Sequence, residues 1–353
     1  MAAVLPETEV SVSLLRWAAL RHSLGAREAG DLLRIATPSI PQLRARRIDS
    51  LLYLATGNDS AAQRVYDKVW ALQRKAASAL LQAASDAGVF TVVMKGSEVV
   101  NRYFGGRGVS FLNDIDLLVA RDDIQAIKRV LYANGYAQHL FDSERQALLP
   151  RDIREIADIE VNHYELAPFN RLEPVELTAD EAAFVREWAW HPIWPIGDRF
   201  FAVIEFDVHY AVAYDVEGDE FFPRCEPSSF GAGQAMSEAD QLWFITSRFY
   251  NEVGANAKTT ARDLAYAAAL MTGGRIDWQI VVSAAERYDL RPSLYYYFLF
   301  VDWLAGGGRV PPDVVDALRP SRGSRSRDWG WQIAKLIGTD ERFTPAAIGE
   351  LSS

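Results

Sequence analysis

Asn113-Asp114-Ile115-Asp116-Leu117-Leu118-Val119 is a short apolar run with two carboxylates set into it two positions apart. Its β-branched and aliphatic residues suit a strand, where side chains at i and i+2 share a face. Asp114 and Asp116 then stand ~6.6 Å apart along one face, while Ile115, Leu117 and Val119 point to the core. Two such carboxylates repel each other. They are tolerated when solvated at a strand end, or when divalent cations sit between them. Oxygen-rich positions of the second kind suit Mg²⁺, which keeps waters and takes its other ligands from substrate phosphates. Surface and turn pairs of this spacing are common, so the pair alone leaves both readings open.

Upstream, Val89-Phe90-Thr91-Val92-Val93-Met94 reads as a buried strand broken by Gly96. A short helix is expected from Glu98 to Phe104. Gly96-Ser97 thus stand where a strand gives way to a helix, whose unpaired N–H groups and partial positive charge suit a phosphate. Ser97 is either a further hydroxyl donor to that phosphate or simply the helix N-cap. The loop Gly105-Gly106-Arg107-Gly108 leads on to the Asp114 strand. Downstream, in Phe201-Ala202-Val203-Ile204-Glu205-Phe206-Asp207-Val208-His209-Tyr210, Glu205, Asp207 and His209 fall on one face. Phe206, Val208 and Tyr210 fall on the other. The polar face is either solvated or, if this strand lies beside residues 114–119, the source of a third carboxylate. Three carboxylates suffice for two metal ions ~3.5–4 Å apart, the arrangement of in-line phosphoryl or nucleotidyl transfer.

Around this centre the pattern is helical. Residues 1–88 read as a helical region, with a long helix over 61–87 that is free of Pro and Gly, N-capped by Asp59 or Ser60 and stopped at Gly88. Residues 89–235 hold the sheet, with a helix over 122–134 and further strands expected at 158–167 and 200–213. The stretch 171–198, with Trp188, Trp190 and Trp194 among Pro192 and Pro195, fits neither periodicity and reads as an excursion from the sheet. Residues 236–318 return to helix, at about 258–271, 278–288 and 292–304 after the capping pattern Ser237-Glu238-Ala239-Asp240. An Arg/Ser-rich linker and a tail with a short helix close the chain over 319–353. This segregation gives an α+β class, a small mixed sheet flanked by N-terminal and C-terminal helical regions.

Composition narrows the function classes. The 353 residues are 49% hydrophobic and 24% charged, which excludes a disordered or fibrous chain. One cysteine, Cys225, excludes a disulfide scaffold and reads as a structural thiol. The net charge of −10 argues against a nucleic-acid partner. The arginine clusters Arg16 to Arg47 and Arg319, Arg322, Arg325 and Arg327 read as solvated faces and a tail. The longest apolar run, Leu294 to Val301, is short of the ~18 residues of a membrane span. Met1 to Glu7 lack a secretory pattern, so a cytoplasmic location is expected. His22, His139 and His191 have no supporting neighbours in the sequence. Arg262-Asp263 read as a structural ion pair.

Gly96-Ser97 followed by Asp114-Ile115-Asp116, with a third carboxylate on a later strand, resembles the signature of the nucleotidyltransferase superfamily, the fold shared with DNA polymerase beta. The finer pattern is Lys95-Gly96, Arg107 in the loop, Asp-Ile-Asp-Leu-Leu-Val, then Phe-Asp-Val-His. It is similar to the bacterial uncharacterised nucleotidyltransferase family, as are His163 in Val161–Leu166, Arg262-Asp263-Leu264 and Ile276-Asp277-Trp278. The resemblance spans about residues 70–305, with a spacer of 16 residues between Ser97 and Asp114. It implies that Asp114, Asp116 and Asp207 bind two Mg²⁺ ions and are the catalytic residues. Gly96 and Ser97 would cradle a nucleoside triphosphate, with Lys95 and Arg107 as further phosphate contacts. From their own positions Glu205, His209 and His163 are the candidates to support the site: Glu205 and His209 share the face of Asp207, and His163 is either a support or simply a strand-face histidine. The implied reaction moves a nucleoside monophosphate, AMP from ATP, onto a small-molecule, peptide or protein acceptor and releases pyrophosphate. The alternative is a regulatory or antitoxin-like protein that binds nucleotide on the same fold without turnover. The complete carboxylate set favours the enzyme.

Overall fold

The computed structural model describes residues 6–188, 191–213, 216–321 and 329–339. Trp190, Arg322, Arg325, Arg327 and much of the expected linker and tail lie outside the described residues. The chain divides into two compact units, one formed by residues 60–237 and one by the stretches on either side.

The strands of the 60–237 unit are β1 (Thr91–Val93), β2 (Ile115–Val119), β3 (His139–Asp142), β4 (Ala147–Pro150), β5 (Phe169–Val175), β6 (Ile193–Ile196), β7 (Arg199–His209), β8 (Ala211–Ala213), β9 (Val216–Glu217), β10 (Glu226–Pro227) and β11 (Gln234–Ala235). Seven of them form one mixed sheet in the order β10-β11-β1-β2-β7-β5, with β6 also paired to β7; β3–β4 and β8–β9 are separate hairpins. β1 runs antiparallel to β2, and β2 runs parallel to β7 with Asp116 opposite Asp207. β7 is the long central strand: β5 lines one edge over residues 200–206, while β2 and β6 share the other. The architecture is α+β with a mixed sheet, as the sequence implies.

The long helix Ala61–Asp86 starts where Ser60 accepts a hydrogen bond from the Gln63 amide at 3.1 Å. Its buried stripe, Val65, Tyr66, Val69, Trp70, Gln73, Ala77, Leu80, Leu81 and Ala84, recurs every three or four residues. That stripe packs on β1, β5 and β7, so this helix belongs with the sheet. The unit boundary therefore falls one helix earlier than the change of pattern at residue 88. Gly108 closes against the same helix: a Cβ there would lie 2.5 Å from the Tyr66 carbonyl oxygen.

Two local expectations are revised. Residues 158–167 are not a strand; Ile153–Asn162 is a helix, followed by a turn. Asp152 caps its first turn, and Ile153, Ile156 and Ile159 recur at helical spacing. The stretch 171–198 is anchored in the sheet at both ends: it begins in β5, passes through the helix Ala179–Glu187 and, among the described residues, meets the sheet again in β6. β5 hides from pattern reading because Arg171, Glu173 and Pro174 interrupt it, which an outermost strand tolerates.

The other unit is helical. Pro6–Leu20, Ala26–Ala36, Ile40–Ala45 and Asp49–Thr56 join Glu238–Ala255, Arg262–Gly273, Trp278–Arg287, Arg291–Leu304, Pro312–Leu318 and Trp329–Ile337. Helix Pro6–Leu20 packs on Arg262–Gly273, and Glu238–Ala255 packs on the three helices that follow it. Lys258 joins Glu252 and Asp263 at 2.6 and 2.9 Å. Among the described residues no helix is long and apolar enough to cross a membrane.

Candidate active site

The parallel pairing of β2 with β7 decides the site. With Asp116 opposite Asp207, the alternation of each strand places Asp114, Asp116, Glu205, Asp207 and His209 on one face of the sheet. The apolar alternates Ile115, Leu117, Phe206 and Val208 are fully buried on the other. One ligand atom each from Asp116, Asp207 and His209 lie within 4.8 Å of one another. His209 Nε2 is 3.2 Å from Asp116 Oδ1 and 3.4 Å from Asp207 Oδ2.

Lys95 reaches this centre from the other side. It follows β1 with φ of 59°, a left-handed conformation that a lysine seldom adopts, and opens the helix Lys95–Tyr103. Its ammonium donates to Asp116 Oδ1 at 2.5 Å and lies 3.3 Å from His209 Nε2. The Met94 amide donates to the Asp116 carbonyl, tying the start of that helix to β2. Gly96 and Ser97 occupy the helix's first turn, next in the chain to Lys95. The N-cap position is Met94; Ser97 is buried inside the helix and donates its hydroxyl to the Met94 carbonyl at 3.3 Å.

The charges are unevenly compensated. Burial and the Asp116 and Asp207 charges push the Asp114 carboxyl up to about 7, against a partial pull down by Lys95. Burial opposes ionisation of Asp116 too, but Lys95 and His209 hold it well below the usual carboxylate range. Glu205 is raised, chiefly by burial, although Asn170 Nδ2 donates to its Oε2 at 3.2 Å. Burial and Lys95 press the His209 imidazole down; Asp207 and Asp116 outweigh them and leave it raised. Asp207 Oδ1 is a buried acceptor without a hydrogen-bond partner among the described residues. Excess negative charge, an unsatisfied carboxylate oxygen and three converging donor atoms fit a divalent cation.

The remaining expected residues are dispersed. Arg107 pairs with Asp67 of the long helix at 2.8 Å and is half exposed. His163 is exposed; its backbone N–H closes helix Ile153–Asn162 and its carbonyl accepts from the Tyr210 hydroxyl. Three residues join the site that pattern reading passed over. Glu165 bridges to His209, with Oε2 3.4 Å from Nδ1. Tyr164 stacks on the same imidazole, ring centroids 5.9 Å apart. His191, just ahead of β6, has Nε2 3.0 Å from the Asn113 carbonyl, immediately before Asp114. Glu165 stands two residues beyond His163, so the segment was visible, but its bridge to β7 was not. A polar cavity of about 540 Å³ elsewhere in the unit, lined by Arg74, Lys75, Ser78, Asn101, Gly106 and Ser229 among others, contains none of the carboxylates.

Comparison with known proteins adds one finding. A family model described as an uncharacterised nucleotidyltransferase matches residues 61–306, from the start of the long helix into the helical unit. No curated protein and no solved structure matches the chain.

Proposed function

The chain belongs to the uncharacterised nucleotidyltransferase family, and from that premise we propose that it transfers a nucleoside monophosphate, AMP from ATP, to an acceptor. The acceptor is a small molecule, peptide or protein, and pyrophosphate leaves. One observation carries the reading: Asp116 and Asp207 stand directly opposite on parallel strands, with Asp114 on the same face held up to about 7 by its neighbours. Such a centre is built to receive positive charge.

In this reading Asp114, Asp116 and Asp207 hold two Mg²⁺ ions. Bound there, the ions supply charge neutralisation for the phosphate oxygens and for the leaving pyrophosphate. The chain's own groups do the positioning. The first-turn amides of Lys95–Tyr103, at Gly96 and Ser97, face the triphosphate at the positive end of the helix. Lys95 exchanges Asp116 for a phosphate oxygen, and Arg107 adds a contact after leaving Asp67. An acceptor hydroxyl oxygen bonds to the α-phosphorus as the bond to the β-phosphate oxygen breaks. Asp207 accepts the hydroxyl proton. Glu205 and His209 fix the Asp207 carboxylate from adjacent positions on the same face. Rate enhancement comes from orientation and electrostatics.

Calorimetry with ATP, GTP, CTP and UTP, with and without Mg²⁺, tests the proposal on wild type and Asp116→Asn. The expected result is Mg²⁺-dependent binding of ATP that the variant loses, followed by acceptor-dependent pyrophosphate release. Binding that ignores both Mg²⁺ and the substitution would overturn the site. Binding without turnover across acceptor classes would return the non-catalytic reading.

A further inference from the structure

We infer that His209 is itself a metal ligand, so that the centre is a mixed nitrogen–oxygen site of Asp116, Asp207 and His209 that takes Mn²⁺ in preference to Mg²⁺. The inference rests on the carboxylates forming a divalent-cation site, as proposed above.

The distances fit a shared ion. Two donors ~2.1–2.2 Å from one cation and at right angles to each other stand ~3.0–3.1 Å apart. His209 Nε2 is 3.2 Å from an Asp116 oxygen and 3.4 Å from an Asp207 oxygen. A contraction of a few tenths of an ångström brings all three onto one ion. Asp207 Oδ1, buried and without a hydrogen-bond partner among the described residues, leaves that carboxylate free to turn toward it.

A carboxylate stands near the far nitrogen of the ring, where a ligating histidine usually directs its N–H. His209 Nδ1 is buried and makes no hydrogen bond among the described residues; Glu165 Oε2 lies 3.4 Å away, within reach of a small rotation of the carboxylate, and Tyr164 stacks on the ring. The imidazole is 1% exposed, so its orientation is set by these neighbours and by β7. With Nδ1–H toward Glu165, the Nε2 lone pair points at the aspartates. A cation already sits there: the Lys95 ammonium lies 3.3 Å from Nε2 and donates to Asp116. An entering metal ion takes that corner, and Lys95 swings out.

The donor set then determines the preference. Mg²⁺ is hard, favours oxygen and keeps its waters. Mn²⁺ shares the preference of Mg²⁺ for carboxylate and water, and as the first member of the transition-metal affinity series it gains more than Mg²⁺ from a nitrogen donor. A site of two aspartates alone would discriminate far less.

The test titrates Mn²⁺ alone, then Mg²⁺ alone, into the full chain and records pulsed electron paramagnetic resonance of the Mn²⁺ form. The expected result is tighter binding of Mn²⁺ than of Mg²⁺, with nitrogen modulation that changes on ¹⁵N-histidine labelling. His209→Gln loses that modulation and about tenfold or more in Mn²⁺ affinity, with Mg²⁺ affinity nearly unchanged. If the variant does not fold, the labelling comparison on wild type decides. Mn²⁺ binding that Asp116→Asn abolishes but that shows no nitrogen coupling overturns the ligand role of His209 and leaves the carboxylate site standing. Equal affinity for the two ions overturns the preference. Absence of binding by either ion overturns the cation site itself.

Discussion

Lys95→Met removes one charge from the carboxylate centre and keeps the aliphatic stem. The Lys95 and Asp116 side chains are 13% and 9% exposed, so their ion pair is little screened by water. Removing one partner of a buried pair costs about 3–5 kcal/mol, because the other charge is left uncompensated. Asp116 can become neutral instead; relative to an ordinary carboxylate that costs about 4 kcal/mol at pH 7, roughly three units at 1.36 kcal/mol each, a penalty of the same size. The strained backbone at position 95 is shared by lysine and methionine, so it cancels from the comparison. We expect the variant to lose about 3–4 kcal/mol in urea denaturation with a chelator present. Divalent ions should restore more stability to the variant than to wild type, since no ammonium competes for Asp116. A tenfold tighter Kd corresponds to about 1.4 kcal/mol of that recovery. If the variant is as stable as wild type in chelator, or binds the ion with an unchanged Kd, the ammonium is not holding the metal's place.

Asp114 carries a raised folded pKa of about 7, so the folded chain binds the extra proton and stability falls as pH rises from about 4 through 7. Asp114→Asn should therefore flatten that fall, gaining about 1–2 kcal/mol in metal-free protein at pH 8 while abolishing turnover; denaturation curves across pH check the first part and pyrophosphate release the second. In the helical unit the signs reverse: burial opposes ionisation of Glu252 and Asp263, yet Lys258 and neighbouring arginines lower both. Their stabilisation is present above the ordinary carboxylate range and lost as pH falls through it, so Lys258→Met should weaken the protein at neutral pH and make its acid unfolding shallower. Gly108→Ala forces a Cβ to within 2.5 Å of the Tyr66 carbonyl oxygen and should cost about 1–3 kcal/mol, seen as a lowered Tm.

What the sequence discloses about this fold depends on how far a residue's partner lies from it. The Asp114-Ile115-Asp116 and Glu205-Phe206-Asp207-Val208-His209 strands announce themselves by alternation with an apolar reverse face, and the structure pairs them. Their motifs point to the same family that the match over residues 61–306 identifies. The cap of the long helix is legible within one residue, Asp59 or Ser60, because capping is local, and Ser60 fills it. β5 was not legible, because Arg171-Leu172-Glu173-Pro174 follows from its outer position in the sheet, which only the finished sheet defines. The helix Ile153–Asn162 carried its own signals in Asp152 and the isoleucine spacing, and the nearby His-Tyr-Glu segment masked them. The return of Lys95 to Asp116, the Asp67 partner of Arg107 and the Glu165–His209 bridge all depend on tertiary register. No single-chain periodicity encodes them.

The two units differ in how they can be made. The carboxylate-bearing unit is one uninterrupted stretch, 60–237, whereas the helical unit is drawn from both flanks. Helix Pro6–Leu20 buries Leu14, Leu15 and Ala18 and packs on Arg262–Gly273. On the ribosome it must wait for about 240 further residues, some 12–50 s at ordinary elongation rates of about 5–20 residues per second. Throughout that interval part of its apolar face has no partner, while the unit that follows it can emerge and close. Chaperone demand, and sensitivity to changes in translation speed, should therefore concentrate on the first sixty residues rather than on the segment that carries the chemistry.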